Sequence, residues 1–380
     1  MNDSAARAHS GLRNVVLALS IVALLGILGM SALGHFSNTG LLFIALWSAL
    51  AIYAGGSAAL KGYAFSAWIF AGVAAAMFYP QAFVYWGSFK LTGLIEPVLM
   101  VIMFGMGTTM SLRDFTQVLL MPKGVIVGMT LQFTIMPLVG FALAKTIQFP
   151  PDVAAGVILI GCVPSGLASN VMNYIAGSNL ALSVTVTALA TLCSPILTPA
   201  WMKLLAGQFI PIDFLEMMLG VFRITLIPVG AGLLFNKFLH GKAKWLDRSL
   251  PVVSMAGILV AVVVITAVGR DQLLTVGLLL LGAEILHNTA GYVLGYWGSR
   301  AAGLDEKSCR TVAIEVGLQN GGMASALAIN VLKNPSVALA PAIFGPWMNI
   351  SGSLLANWWH ARPVKDDPSV SRVEAVALSD

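Results

Sequence analysis

GCVPSGLASN (161–170) and AIEVGLQNGGM (313–323) decide how this chain is read, because each sets helix breakers and polar side chains in the middle of a long apolar run. Runs of that kind belong in a bilayer. Of 380 residues, 58% are hydrophobic and 10% are charged, against about 25% charged in a soluble domain. So few charges do not cover a soluble surface, which excludes a water-soluble enzyme, a nucleic-acid reader and a disordered regulator. The net charge is +5, but the positives are scattered through short loops and form no nucleic-acid footprint. Cys162, Cys193 and Cys309 stand at no metal-ligand spacing. An all-α polytopic membrane protein is the expected class.

A spanning helix needs about 20 mostly apolar residues. Twelve segments qualify: 13–33, 40–60, 64–85, 92–110, 123–145, 152–176, 179–203, 213–236, 249–269, 272–300, 306–332 and 335–361. The tail 362–380 is polar, lacks aromatic residues and is expected to be a disordered cytoplasmic segment. Cytoplasmic loops collect Lys and Arg. With twelve spans and both termini in the cytoplasm, fifteen of the 21 basic residues fall inside and five outside, with Arg223 inside a span. One helix fewer would destroy that bias. Trp86, Trp201, Trp358 and Trp359 fall at span ends, where interfacial anchors are expected. The run from Val15 to Leu33 exceeds the roughly 7–15 residues of a signal-peptide core, so it is read as a retained helix.

Setting residues 1–62 aside as a two-helix segment leaves a ten-helix unit, 63–361. It divides into 64–210 and 213–361, five spans each. An odd count inverts the second half relative to the first, the arrangement of inverted-repeat transporters. The two quoted stretches interrupt the fourth span of each half. Unwound backbone in a membrane must face a cavity, an ion or a solute. Its freed carbonyls suit a small cation, and the following helix N-terminus suits an anion. Packed kinks are the plainer reading. Against it stand Ser165, Ser169, Asn170 and Asn173 around one break, and Glu315, Gln319 and Asn320 around the other.

Glu315 lies about ten residues into its span, with no Lys or Arg within a helical turn. A carboxylate at that depth needs a proton or a cation. Ser183 and Thr187, at i and i+4, share one helix face, and Gln132 lies mid-span in the helix before the first break. Arg223 is expected to snorkel or to meet a helix end. A salt bridge to Glu284 or a protonated Glu284 is the alternative. His287 and Asn288 are expected to make interhelical hydrogen bonds. Gly105 and Gly107 are expected to allow close packing. No metalloprotease HExxH, phosphate-binding loop or nucleophile elbow occurs. Nothing in the sequence implies ATP, an enzyme or a cofactor.

Four stretches resemble the bile acid:sodium symporter family: MFGMGTTMSLRDF (103–115), GCVPSGLASNVMNYIAGSNLALSVTVTALATLCSPILTP (161–199), RTVAIEVGLQNGGMASALA (310–328) and WMNISGSLLA (347–356). The likeness runs from about residue 65 to 361. The two additional N-terminal helices lie outside that pattern, and an N-terminus that carries Asp3 and no Arg/Ser-rich transit segment leads us to expect a bacterial member in the inner (plasma) membrane. The likeness implies a core domain built on two crossing broken helices, a panel domain, and symport of an organic anion with two sodium ions by alternating access. The anion would be a bile acid-like, pantoate-like or keto-acid carboxylate.

By motif, the first sodium site is Ser169, Asn170, Ser183, Thr187 and Glu315. The second is Gln132, Glu315 again, backbone carbonyls near Val316 and Leu318, and Gln319. The substrate side takes Ser165, Leu167, Asn320, Gly321, Met348 and Asn349. Where the family often has Gly and Thr, this chain has Ser165 and Leu167, and Met348 stands where His is common. These departures are expected to alter substrate preference and to leave the ion sites alone. Proton coupling through Glu315 is the alternative; a membrane-embedded enzyme, a receptor and a channel have less to support them.

Overall fold

The computed structural model describes residues 3–57, 60–111, 117–239 and 244–364. The tail expectation therefore lies almost wholly outside the described residues. The helices are α1 (Asp3–Ala32), α2 (Gly40–Gly55), α3 (Ala64–Phe78), α4 (Ile95–Thr108), α5 (Pro122–Ile147), α6 (Pro151–Cys162), α7 (Leu167–Ala176) and α8 (Leu180–Trp201). After these come α9 (Phe214–Val221), α10 (Ile227–Leu239), α11 (Lys244–Val268), α12 (Arg270–Ala301), α13 (Glu306–Gly317), α14 (Gly321–Ala326) and α15 (Leu339–His360). A π-helical turn, Phe222–Leu226, joins α9 to α10. This is a multi-pass membrane protein.

Helix starts follow ordinary capping chemistry. Asn179, Asp213 and Asp305 each accept a hydrogen bond from a first-turn amide, at Leu182, Glu216 and Ser308. Pro122 and Pro151 open α5 and α6, where a missing N–H costs nothing. One expected span ends early. The helix expected over 64–85 stops at Phe78, because Pro80 cannot continue it. A 3-10 turn, Pro80–Phe83, and a two-strand hairpin follow, with β1 (Tyr85–Trp86) antiparallel to β2 (Phe89–Lys90). Gly87, at φ +59, fills the first turn position, which requires a positive φ.

Among the described residues, six helices are long and apolar enough to cross a membrane: Asn14–Ala32, Leu91–Thr108, Pro122–Ile147, Leu180–Ala206, Phe214–Phe238 and Arg270–Ala301. Several other expected spans are shorter. Those over 152–176 and 306–332 are shorter because they are split. α6 ends at Cys162, and Val163 turns extended ahead of Pro164. α13 ends at Gly317, and Leu318 is extended. The two breaks meet as a small antiparallel bridge between Ser165 and Gln319. Asn320 N–H donates to Pro164 O at 2.9 Å, and Gly166 N–H to Leu318 O at 3.4 Å. Each break thus satisfies part of the other's backbone.

α5, α6, α7, α8, α12, α13 and α15 pack around this crossing. α4 packs on α10 and α11, α3 packs on α11, and α1 and α2 extend the row from α3. Along α6, Val153–Ala155 and Val157–Ile160 are wholly buried. At Gly161 a Cβ would lie 2.4 Å from Met136 O, so this contact requires glycine. The tryptophans divide. Trp86 and Trp358 are exposed, as anchors should be. Trp359 is buried under the Arg310 guanidinium, 5.7 Å from its ring centroid, which corrects the anchor reading for that residue.

Candidate functional site

Glu315 sits in the last turn of α13, just before the break, and is fully buried. Its carboxylate gathers side chains from three other segments. Ser165 Oγ, in the first break, donates to Oε2 at 2.6 Å. Thr187 Oγ1, on α8, lies 2.8 Å from Oε2, and Ser183 Oγ 2.6 Å from Oε1. Asn173 Nδ2, on α7, reaches Oε1 at 3.3 Å. Asn170 Oδ1 lies 2.8 Å from Ser183 Oγ and 3.2 Å from Thr187 Oγ1. Ser169 Oγ lies 3.3 Å from Thr187 Oγ1 and 2.9 Å from Gly166 O.

Proton counting makes this cluster informative. A hydroxyl has one proton, yet Ser183 and Thr187 each face both a Glu315 oxygen and Asn170 Oδ1. Each can donate to only one of them; Ser165 Oγ and Asn173 Nδ2 supply the other donors, and the hydroxyl and amide oxygens keep unused lone pairs beside a buried carboxylate. Oxygen-rich, thiolate-free surroundings of this kind suit a hard cation.

A second group lies around Gln132, on α5. Its Nε2 donates to Gln319 Oε1 at 2.9 Å and to Val163 O at 3.3 Å. Gln319 Nε2 donates to Val316 O at 2.6 Å. Gln132 Oε1 is a buried acceptor with no hydrogen-bond partner among the described residues, and a cation would satisfy it. All the hydrogen bonds Glu315 accepts come from the first group, however. The carboxylate expected in both sites is engaged in one.

Beside the crossing lies a cavity of about 450 Å³. Leu167, Asn320, Gly321, Met348 and Asn349 line it, together with Met103 and Thr108 of α4 and Ser254 of α11. Among the described residues no charged side chain does. Gly166, Leu167 and Ala168 bring the N-terminus of α7 to its wall, where free amides favour an anionic group. Asn320 also caps α14, its Oδ1 accepting from Met323 N–H at 3.0 Å. Asn349 Nδ2 turns back to Gly345 O at 2.8 Å.

One expected substrate-side residue is elsewhere. Ser165 is wholly buried against Glu315 and does not line the cavity. Its short side chain points from the extended break toward α13, so this departure from the family pattern adds a donor to the carboxylate cluster. Asn173 is a member of the cluster that the motifs do not assign to a site. Its position one turn after Ser169, on the same face of α7, is the signal that could have found it. Nothing in the apolar run around Ser254 marks that residue. Arg223 pairs with Glu96, not Glu284, at 2.8 Å. His287 and Asn288 make interhelical bonds, to Met136 O at 2.9 Å and Gly317 O at 2.8 Å.

Residues 96–276 match the Sodium Bile acid symporter family. The chain is similar to the Uncharacterized sodium-dependent transporter YocS of Bacillus subtilis (strain 168), 38% identical over 317 residues, covering 83% of this chain and 97% of that one. It is also similar to two proteins named Probable sodium/metabolite cotransporter BASS1, chloroplastic. That of Oryza sativa subsp. japonica is 34% identical over 80% of this chain and 73% of its own. That of Arabidopsis thaliana is 35% identical over 78% and 73%.

Proposed function

Because this chain belongs to the sodium bile acid symporter family, we propose that it is a sodium-coupled symporter of an organic anion, a transporter and not an enzyme, working in the inner membrane. The observation that carries the reading is the buried carboxylate of Glu315, surrounded by the oxygens of Ser165, Asn170, Ser183 and Thr187. In this reading one sodium ion binds among Ser169, Asn170, Ser183, Thr187 and Glu315, with Ser165 and Asn173 steadying the carboxylate. A second binds near Gln132 Oε1, Gln319 and the carbonyls of Val316 and Leu318, with Glu315, the residue before Val316, as its carboxylate.

The ions remove the uncompensated charge and draw the two breaks together. The cavity then receives a carboxylate at the N-terminus of α7, with Asn320 and Asn349 as amide contacts. Leu167 and Met348 give it an apolar wall, which suits an amphipathic or branched carboxylate. The helices around the crossing act as the core of a twelve-span protein with cytoplasmic termini, built on inverted repeats 64–210 and 213–361. They move against the panel of α3, α4, α10 and α11 to alternate access. An inward sodium gradient drives uptake.

Sodium binding to purified protein, in sodium against choline buffer, tests this. Wild type is expected to show sodium-specific binding that Glu315→Ala abolishes. Sodium-specific binding retained by Glu315→Ala would overturn the assignment. A second reading, proton coupling through Glu315, draws support from the neutrality of every side chain bonded to it, since a proton would balance the charge equally. Replacing sodium at constant pH separates the two: transport that survives in choline favours the proton.

A further inference from the structure

Behind the crossing, α12 buries two titratable side chains one turn apart. Glu284 and His287 are both fully buried, with His287 Nδ1 3.5 Å from Glu284 Oε2. Among the described residues, neither oxygen of Glu284 nor Nδ1 of His287 has a hydrogen-bond partner. The other ring nitrogen decides what lies between them. Nε2 is 2.9 Å from Met136 O, and a carbonyl only accepts, so Nε2 carries a proton. Without a further proton, lone pairs on Nδ1 and the carboxylate would oppose each other around a buried, uncompensated charge, the arrangement least tolerated away from water. One proton between Nδ1 and Oε2 joins the groups and makes the pair neutral.

No neighbouring charge replaces it among the described residues. On α5 the titratable side chains are Lys123 and Lys145, near opposite ends. On α15 it is His360, at the end and against Ile175 O at 2.9 Å. α11 has none between residues 249 and 268. On α13, Glu306, Lys307, Cys309 and Arg310 lie in the first turns, and Glu315 is engaged by its own hydroxyl cluster. On α12 itself, Arg270, Asp271 and Arg300 are terminal, while Tyr292 bonds Ser351 and Tyr296 bonds Glu306. The pair itself is wedged between α5 and α15. The His287 ring meets Phe344 edge-on at 5.8 Å, and a Cβ at Gly140 would lie 3.0 Å from it.

We propose that Glu284 and His287 form a proton-binding site separate from the Glu315 cluster, holding one proton between Nδ1 and Oε2 that fastens the α5–α12–α15 junction. The junction supports the crossing from behind. Met136 lies one turn from Gln132 on the same face of α5. Asn288, beside His287, holds Gly317 O at the end of α13 and accepts from Ser351 Oγ of α15 at 2.6 Å. A proton dependence of this protein therefore need not report on Glu315.

The linkage has a definite sign. In an unfolded chain, Glu and His titrate at about 4.3 and about 6.5. Above about pH 6.5 the unfolded pair holds no proton and the folded pair holds one. Stability then falls as pH rises, by up to about tenfold in the folding constant per pH unit. Between about pH 4.5 and 6.5 both states hold one proton and the pair adds no slope.

The test is the thermal midpoint of the full-length protein in choline buffer across about pH 5 to 9, for wild type, Glu284→Gln and Glu315→Gln. The amide of Glu284→Gln can donate to Nδ1 without titrating, so the alkaline fall is expected to flatten there and to persist in Glu315→Gln. An alkaline fall in Glu284→Gln as steep as in wild type overturns the site. Nitrogen NMR of His287 in wild type near pH 8 tests the site even where the variant does not fold. A hydrogen-bonded Nδ1 is expected, and a free Nδ1 lone pair beside an ionised Glu284 overturns the proposal.

Discussion

Thr187→Val tests the cation cluster while sparing the fold. Valine keeps the branched shape and deletes one oxygen. In the wild type that oxygen lies 2.8 Å from Glu315 Oε2, 3.2 Å from Asn170 Oδ1 and 3.3 Å from Ser169 Oγ. No acceptor is orphaned by its removal. Glu315 Oε2 keeps Ser165 at 2.6 Å, and Asn170 Oδ1 keeps Ser183 at 2.8 Å. The folding cost is therefore that of an ordinary hydrogen bond, about 0.5–1.5 kcal/mol. A bound cation loses more, because a contact to a charged group is worth about 1.5–3 kcal/mol. That corresponds to roughly 10- to 150-fold weaker sodium binding. Thr187→Ser restores the oxygen and is expected to recover most of the affinity. Calorimetric titration with sodium chloride, at ionic strength held by choline chloride, measures both. Wild-type affinity in the valine variant, or a serine variant as weak as valine, would refute the ligand role of this hydroxyl.

Three further outcomes follow from the geometry. Gly161→Ala places a Cβ 2.4 Å from Met136 O, an overpacking that costs at least about 1–3 kcal/mol; a lowered thermal midpoint and yield of monodisperse protein are expected, and an unchanged midpoint would contradict the packing. Asn320→Ala removes the cap of α14, at about 1 kcal/mol, along with an amide at the cavity, whereas Asn320→Ser keeps a cap. Stability should fall in the first and hold in the second, with anion binding weakened in both, as thermal melts and ligand titrations would show. Leu167→Thr and Met348→His change the cavity wall. They should reorder a panel of carboxylates of different bulk in competition assays while sodium affinity holds, and a parallel loss of sodium binding would place these residues in the wrong role.

Some of this is legible in one dimension. Long apolar runs dictate helices, because a bilayer leaves no other way to satisfy the backbone. Pro164, and the Gly317 and Gly321-Gly322 pattern, mark where those helices stop, because ring closure and missing side chains act locally. Ser183 and Thr187 share a face by helical periodicity alone. Glu315, a carboxylate in an apolar run, announces a need for a counter-charge before any neighbour is known.

What the tertiary structure decided is which polar groups meet. Ser165 and Glu315 are 150 positions apart, and only the antiparallel bridge between the breaks aims the serine at the carboxylate and away from the cavity. Asn173 joins the same cluster because α7 leaves its break at one particular angle. Arg223 finds Glu96, and Glu284 finds His287, although composition offered other pairings. Trp359 leaves the interface for the underside of Arg310. Helix formation and breaking depend on a residue and its near neighbours, and so can be read along the chain. Hydrogen-bond partnership falls off within a fraction of an ångström and depends on the rotation of whole helices, which is fixed only when every packed face is present at once.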